Sequence, residues 1–229
     1  MPRLHDLAPD FRVLERPPEP SLNETVEARV AAIWTAETRR NPALFNGCVY
    51  SLIEHAPQRI VVRVSDYRHL TAWRRAPELA AQGLALRPVG VTGLLLARDG
   101  VVFGRRAGHL AADAGLWETA PAGGLDRLDP AGLLREELHE ELGLDPAAAS
   151  APRPLALIEA RGVFDIVFRL ETTLDRAALI AAHRRAASDE YAELAIVAPG
   201  DLAPFLAARA GEVLPIVPAI LRRAELLSS

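Results

Sequence analysis

The sequence is poor in cysteine, lysine and long apolar runs. Its 229 residues include one cysteine, Cys48, so neither an intrachain disulfide nor a four-thiolate zinc site can form. The longest apolar stretches, such as residues 93–97, are far shorter than the roughly 20 residues that a transmembrane helix needs. We therefore exclude disulfide-stabilised and membrane-spanning proteins and expect a soluble one.

The chain is slightly acidic, and every cationic side chain apart from histidine is an arginine. The formal net charge of -4 is spread along the sequence, so we expect no basic face for nucleic-acid binding. The 26 arginines have planar guanidinium groups that suit carboxylates and phosphates. Residues 1–20 carry acids and prolines where a secretion signal has an apolar run, which predicts a cytoplasmic protein. A small-molecule partner is favoured over a polymer or a membrane.

Residues 1–87 are predicted to form an N-terminal α+β module. Ser21 and Glu24 have the spacing of a capping box, and apolar residues follow at helical spacing to about residue 40. The pair Asn41 and Pro42 ends this helix. The remaining predicted elements are strands over residues 48–54 and 60–65 and a helix over residues 70–82.

Strands and helices alternate along residues 88–229, which we predict to be a second and larger domain of α/β or α+β class. A glycine-rich passage leads to a helix with Asp129 as its N-cap, Pro130 in its first turn and Gly143 as its C-cap. The predicted strands cover residues 89–97, 101–105, 155–160, 163–172 and 194–197, and the predicted helices cover residues 131–142, 176–186 and two short segments near the end.

Three glutamates share one face of the predicted helix over residues 131–142. Glu137, Glu140 and Glu141 stand at positions i, i+3 and i+4, where like charges repel each other. A hard divalent cation compensates this repulsion, because Mg²⁺ and Mn²⁺ prefer carboxylate oxygens and keep positions open for substrate phosphates. The alternative is an acidic helix face that is simply solvated, and the three residues alone leave both readings open.

The sequence around these glutamates resembles the Nudix box, whose pattern is glycine, five residues, glutamate, seven residues, then Arg-Glu-aliphatic-x-Glu-Glu-x-Gly-aliphatic. In its first half, Glu136 stands where arginine is usual, and no glutamate stands near Leu128 in a loop about two residues short. In the family these two positions form an ion pair, so we expect the pair to be lost, with Arg135 as a partial substitute. The second half matches at Glu137, Leu138, Glu140, Glu141, Gly143 and Leu144.

This resemblance implies a fold and a metal site. The fold is an α/β/α sandwich with a mixed sheet, preceded here by the N-terminal module, and the activity is metal-dependent hydrolysis of a nucleoside diphosphate linked to another moiety. Glu137 is either a ligand or the base that orients water. The metal, Mg²⁺ or Mn²⁺, is expected to bind Glu137, Glu140, Glu141 and the carbonyl of Gly123.

Further site residues are expected from strands and loops outside the box. Arg105 and Arg106 end a predicted strand and are placed to bind substrate phosphate, with two surface arginines as the alternative. Some family members take an extra base or ligand from a late loop, where this chain has Glu190 and Glu193. We expect Glu190 to be catalytic, with a solvated loop acid as the alternative.

The N-terminal module resembles the leader of one Nudix branch. Trp34, residues 41–47 and Tyr50 are similar to the leader of enzymes that hydrolyse UDP-glucose and UDP-galactose, in which an arginine pair like Arg105 and Arg106 recurs. The products would be UMP and a sugar 1-phosphate. The alternatives are another diphosphate, such as ADP-ribose, a dinucleotide or coenzyme A, and a non-catalytic ligand-binding protein. Whether the protein is a homodimer stays open.

Overall fold

The computed structural model describes residues 1–17, 22–186 and 188–228, which carry eleven β-strands and six α-helices. None of these helices has the length and apolar character needed to cross a membrane. The strands are β1 (Arg3–His5), β2 (Arg12–Glu15), β3 (Cys48–Ala56), β4 (Arg59–Asp66), β5 (Val89–Ala97), β6 (Gly100–Arg106), β7 (Trp117–Thr119), β8 (Ala122–Gly124), β9 (Arg153–Ala160), β10 (Val163–Glu171) and β11 (Tyr191–Val197). The helices are α1 (Glu24–Arg40), α2 (Tyr67–Arg75), α3 (Pro130–Leu142), α4 (Arg176–Ala186), α5 (Leu202–Ala208) and α6 (Val217–Arg223).

A mixed sheet of eight strands forms the centre of the fold. Its order is β1-β9-β10-β5-β6-β11, with β7 paired to β6 and β8 paired to β5. Strands β5 and β10 are parallel, and the other neighbours are antiparallel. Residues 89–95 of β5 are all buried, as expected for a central strand that is covered on both faces.

Helices cover both faces of this sheet. On one face, Val91 of β5 lies in the same hydrophobic cluster as Leu134 and Leu138 of α3. On the other face, Leu94 of β5 lies in a cluster with Ile220 of α6. Side chains alternate along a strand, so one strand contributes to both layers. The predicted fold class, α+β with a mixed sheet between helices, is confirmed.

The mixed sheet splits between β5 and β6. These two strands pair only through residues 96–97 and 100–101. Further along β5, residues 90–92 pair instead with residues 122–124 of β8, while β7 pairs with β6. The split therefore opens a gap in the sheet beside α3.

A second sheet, with the order β2-β4-β3, lies within residues 1–87. Tyr50 of β3 and Ile60 of β4 belong to the same hydrophobic cluster as Leu134 of α3, and β1 is hydrogen-bonded to β9 of the large sheet. The first 87 residues thus share both a sheet and a core with the rest of the chain. A domain boundary at residue 87 stays a prediction.

The predicted helices of the N-terminal module differ at their ends. Helix α1 is capped by Asn23, whose side chain accepts a hydrogen bond from the Val26 N–H at 2.9 Å. Ser21, the predicted cap, lies outside the described residues. The helix predicted over residues 70–82 is divided, because Pro77 disfavours helical backbone at Ala76. Helix α2 ends at Arg75, and a short 3₁₀ helix follows.

Candidate active site

A cleft of about 520 Å³ opens where the sheet splits. It is lined by strands β5, β8 and β10, by helix α3, by residues of β3 and α2, and by residues 214–216. Five acidic residues from different parts of the fold line it, namely Asp113, Glu118, Glu137, Asp165 and Glu190. The cleft is therefore the place where the chain concentrates negative charge.

Helix α3 is fixed in place by local signals and by packing. Asp129 caps its start by accepting a hydrogen bond from the Gly132 N–H at 2.9 Å, and Pro130 occupies the first turn. Gly143 ends the helix with a φ of 65°, a left-handed conformation that glycine adopts without strain. Leu134 and Leu138 are buried toward the sheet. This anchoring directs Glu137 and Glu141 toward β8.

Glu141 is a buried carboxylate with one oxygen left without a partner. Its side chain is on a residue only 1% exposed. Oε2 accepts a hydrogen bond from the Ala122 N–H at 2.9 Å, whereas Oε1 has no hydrogen-bond partner among the described residues. Burial raises the pKa of Glu141 well above its usual range, and the charge of Glu137 raises it further. An oxygen in this state is available to a ligand.

Glu137 lies against the backbone of β8. Its carboxylate packs so closely over the Cα of Gly123 that a side chain at this position would collide with it. Burial, together with the charges of Glu190 and Glu140, raises the pKa of Glu137 to about 8. Glycine at position 123 is therefore what allows this carboxylate to sit beside the cleft.

The predicted acidic residues lie near one another, but they do not form a complete set of metal ligands among the described residues. Glu140 and Glu190 are both exposed, although their charges act on Glu137. Within residues 1–17, 22–186 and 188–228, no three His, Cys, Asp or Glu side chains are grouped closely enough to hold a metal ion. The donors fit a divalent cation in kind, since Glu137 and Glu141 offer carboxylate oxygens, and Oε1 of Glu141 has no hydrogen-bond partner among the described residues.

A testable consequence is that the metal-free protein loses stability as the pH rises. The raised pKa values of Glu137 and Asp165, about 8 and about 7, mean that the folded state binds protons more tightly than the unfolded state. This stabilisation is fully present below about pH 4 and is lost as the pH rises toward 8. Urea unfolding in EDTA should show a free energy of unfolding that is several kcal/mol lower at pH 8 than at pH 5.

Mg²⁺ should reverse this loss, because a cation that binds the ionised carboxylates stabilises the folded state. The gain in unfolding temperature on adding Mg²⁺ is expected to be larger at pH 8 than at pH 5, where protons compete with the ion. A Glu137→Gln variant should show a smaller gain at pH 8. Equal gains at both pH values, or no gain, would contradict the assignment.

The ion pair that was expected to be lost is present with its charges exchanged. Arg127, in the loop before α3, donates from Nη1 to Oε1 of Glu136 at 2.7 Å. This contact joins the loop before α3 to the helix by an ion pair. The expectation that Arg135 substitutes for the missing arginine was wrong, since Arg127 performs this role. The available signal for this ion pair was the opposite charge of Glu136 and of Arg127 in the preceding loop.

The two predicted phosphate-binding arginines have different surroundings. Arg106 lines the cleft but donates to the buried carboxylate of Glu118 at 2.7 Å, and the negative charge of Glu118 outweighs burial to raise the pKa of Arg106. Arg105 follows the alternation of the strand to the other face, where it donates to the carbonyl of Gly115 at 3.3 Å and lies 4.0 Å from Glu193. Arg106 is therefore held by the protein itself, and Arg105 is placed away from the cleft lining.

Comparisons with known proteins show the fold. Neither a protein-family model nor a curated protein matches the sequence. The crystal structure of DR0079 from Deinococcus radiodurans is 17% identical, with a TM-score of 0.51 over 76% of this chain and 98% of that one. Because the identity is low, this likeness shows the mixed α+β fold and nothing further.

Two other solved structures are similar at TM-scores below 0.5. The Nudix hydrolase RenU from M. smegmatis is 17% identical, with a TM-score of 0.42 over 60% of this chain and 81% of that one. A bifunctional NMN adenylyltransferase/ADP ribose pyrophosphatase from Francisella tularensis, complexed with AMP and a Mn ion, is 16% identical. Its TM-score is 0.42 over 70% of this chain, which spans 46% of that protein.

Two acidic residues of the cleft, Glu118 and Asp165, were not among the predicted site residues. Glu118 accepts hydrogen bonds from Arg106 and from the Tyr191 hydroxyl, the latter at 3.2 Å. Asp165 of β10 lies beside Gly90, and Thr92 approaches it at 3.4 Å. Burial, together with the charge of Glu118, raises the pKa of Asp165 to about 7. An acidic residue inside an apolar strand was the available signal for Asp165.

Four further residues near the acidic side chains do not line the cleft. Trp117 is buried in the core, where its ring packs edge-on against Phe205, as expected for a core residue. His139 is exposed, with its Nδ1 3.2 Å from the Leu144 carbonyl. His109 lies 3.5 Å from Asp189. Glu193 is exposed beside Arg105.

Proposed function

We propose that this chain is a Nudix-type hydrolase that uses Mg²⁺ or Mn²⁺ to cleave a nucleoside diphosphate linked to another moiety. The observation that carries the proposal is the pair formed by Glu137 and Glu141 on α3. One carboxylate is buried with a partnerless oxygen, and the other is held over Gly123 in the cleft. These residues belong to the matching half of the Nudix box, so the resemblance and the geometry support the same assignment.

The electrostatics of the pair support a cation. An ionised carboxylate that is buried without a counter-charge is destabilising, and a second carboxylate beside it adds repulsion. The charge of Glu137 raises the pKa of Glu141, and the charge of Glu190 raises the pKa of both residues. A divalent ion reverses the sign of these interactions, because it binds both carboxylates and still accepts phosphate oxygens.

The proposed ligands are Glu137, Glu140, Glu141 and the carbonyl of Gly123. Glu140 and Glu190 are exposed, and no hydrogen bond holds either carboxylate among the described residues. When bound, the ion supplies charge neutralisation on the diphosphate and activation of water. Glu137 is proposed to orient the attacking water or to bind the ion, and Glu190 is proposed as the base from the opposite side of the cleft.

The substrate class follows from the same charges. A diphosphate resists attack because its negative oxygens repel nucleophiles, and a cleft lined by carboxylates accepts it only together with a cation. Within this class we propose a UDP-sugar, which would give UMP and a sugar 1-phosphate. This choice rests on the resemblance of residues 41–47. Structurally, Asn41 ends α1, and Asn46 accepts a hydrogen bond from the Arg68 N–H at 2.8 Å, which anchors α2.

The test is turnover of a substrate panel with Mg²⁺, with Mn²⁺ and with EDTA. The panel comprises UDP-glucose, UDP-galactose, ADP-ribose, a dinucleotide and coenzyme A, and the products are separated by chromatography. We expect a nucleoside monophosphate from at least one of them, with turnover abolished by EDTA. The best substrate decides between the UDP-sugar and its alternatives. A protein that hydrolyses none of them in either metal is not the proposed enzyme.

A second candidate is a binding protein that keeps the fold without hydrolysis. The absence of an assembled ligand set in the described part of the chain favours it. Calorimetric binding of a nucleoside diphosphate compound without any turnover would support this candidate. We propose a cytoplasmic location for either, and gel filtration would decide between a monomer and a homodimer.

A further inference from the structure

We infer that Trp73 and Arg74 of α2 form the subsite for the nucleoside monophosphate half of the substrate. This inference rests on the proposed function, because it places part of a nucleotide in the same cleft as Glu137. Both residues line that cleft, although they belong to the N-terminal module and lie far from α3 in the sequence.

Trp73 offers an aromatic surface to the cleft. The residue is half-buried, and its indole ring lies against the turn between β9 and β10, where an added Cβ at Gly162 would be 3.6 Å from Cζ2. The indole nitrogen has no hydrogen-bond partner among the described residues. By contrast, Trp34 packs edge-on against Tyr67, and Trp117 is enclosed in the core. Trp73 is thus the tryptophan that lines the cleft.

Arg74 supplies a positive charge that the protein itself does not neutralise. Three arginines line the cleft. Arg106 is paired with Glu118 at 2.7 Å, and Arg161 is paired with Asp113 at 3.0 Å. Arg74 is exposed and has no carboxylate partner within residues 1–17, 22–186 and 188–228. A guanidinium in this state is suited to a phosphate.

Trp73 and Arg74 together suit a ligand that has both a flat ring and a phosphate. Nucleobases stack on tryptophan whatever the base, because every base has a π-face. Leu70, Leu214 and Ile216 line the same cleft and provide apolar contact for a base or ribose. A nucleoside monophosphate unit satisfies all three features at once, whereas an inorganic diphosphate or a sugar phosphate leaves the indole without a partner.

The experiment measures binding of UMP and AMP in EDTA, so that metal-dependent chemistry is absent. Ribose 5-phosphate, which lacks a base, is the control ligand. UMP or AMP should quench the tryptophan emission of the wild-type protein, and ribose 5-phosphate should not. The quenching should disappear in Trp73→Phe and persist in Trp34→Phe. Quenching that is unchanged in Trp73→Phe would overturn the inference.

Calorimetry gives the size of each contribution. Trp73→Leu should weaken nucleotide binding about 5- to 100-fold, and Arg74→Gln about 10-fold. The matched control Arg39→Gln removes an exposed arginine of α1 that has no partner among the described residues, and it should leave binding unchanged. If Trp73→Leu fails to fold, Trp73→Phe and Arg74→Gln still decide the question. Equal affinities in Arg74→Gln and Arg39→Gln would remove Arg74 from the subsite.

The two proposals fail in different ways. Nucleotide binding through Trp73 without hydrolysis of any substrate would refute the proposed activity and leave the subsite intact. Hydrolysis with a KM that is unchanged in Trp73→Leu and Arg74→Gln would refute the subsite and leave the activity intact. If the subsite is correct, both variants should raise KM more than they lower kcat, because they do not touch the acidic residues of α3.

Discussion

Glu141→Gln is expected to reduce kcat of the Mg²⁺-dependent reaction about 100-fold or more while making the metal-free protein no less stable. The amide is a poorer ligand for a hard cation than the carboxylate it replaces, so the metal-bound state is weakened. Its carbonyl oxygen can still accept the hydrogen bond from the Ala122 N–H, which is 2.9 Å from Oε2 of Glu141. The substitution also removes a charge from a residue that is 1% exposed.

The opposite movement of activity and stability identifies a functional carboxylate. If Glu141 had a structural role, its neutralisation would lower the stability of the protein, as it does when the carboxylate belongs to an ion pair. Steady-state kinetics and thermal unfolding in EDTA measure the two effects on one preparation. The matched control is Glu136→Gln, one turn earlier on α3, where the carboxylate is exposed and paired with Arg127. Full activity in Glu141→Gln would remove this residue from the site.

Arg106→Met is expected to lower the free energy of unfolding by about 3–5 kcal/mol. The guanidinium of Arg106 is 2.7 Å from Glu118, and the two side chains are 19% and 5% exposed. Removal of the cation leaves the buried carboxylate of Glu118 without its main counter-charge, and the Tyr191 hydroxyl remains as its only other donor in the described residues. Urea unfolding at neutral pH measures the loss.

Arg105→Met is the matched control for this prediction. Arg105 precedes Arg106 in the same strand, and its side chain is 45% exposed, so its loss should change stability by no more than about 0.5 kcal/mol. The double variant Arg106→Met, Glu118→Gln should recover part of the loss, because no charge is left unpaired. If Arg106→Met instead raises KM and leaves stability unchanged, Arg106 binds substrate as the sequence suggested.

The sequence predicted α3 well because the signals that define it are local. Asp129, Pro130 and Gly143 act within a turn of the residues they cap, so their effect can be read without knowledge of the rest of the chain. The same holds for the face shared by Glu137 and Glu141, which follows from helical periodicity. The composition supported only α/β or α+β, and the expectation of a mixed sheet between helices came from the resemblance to the Nudix box.

The cleft itself could not be predicted, because strand pairing brings its residues together. Asp165 comes beside Gly90 only through the parallel pairing of β10 with β5. Glu118 meets Arg106 because β7 pairs with β6. The sequence separation of such pairs carries no periodic signal. The role assigned to Arg106 from its position at a strand end is the clearest example, since the carboxylate beside it decides what it contacts.

The lining of the cleft comes from two groups of residues that lie in different parts of the sequence. Helix α2 supplies the indole and the unpaired guanidinium, while α3, β7, β10 and the loops before β7 and β11 supply the carboxylates. If the proposed function holds, substitutions in the first group are expected to change which compound binds, while the carboxylates of the second group stay in place. Ligand preference and the acidic chemistry of the cleft are thus carried by different segments of the chain.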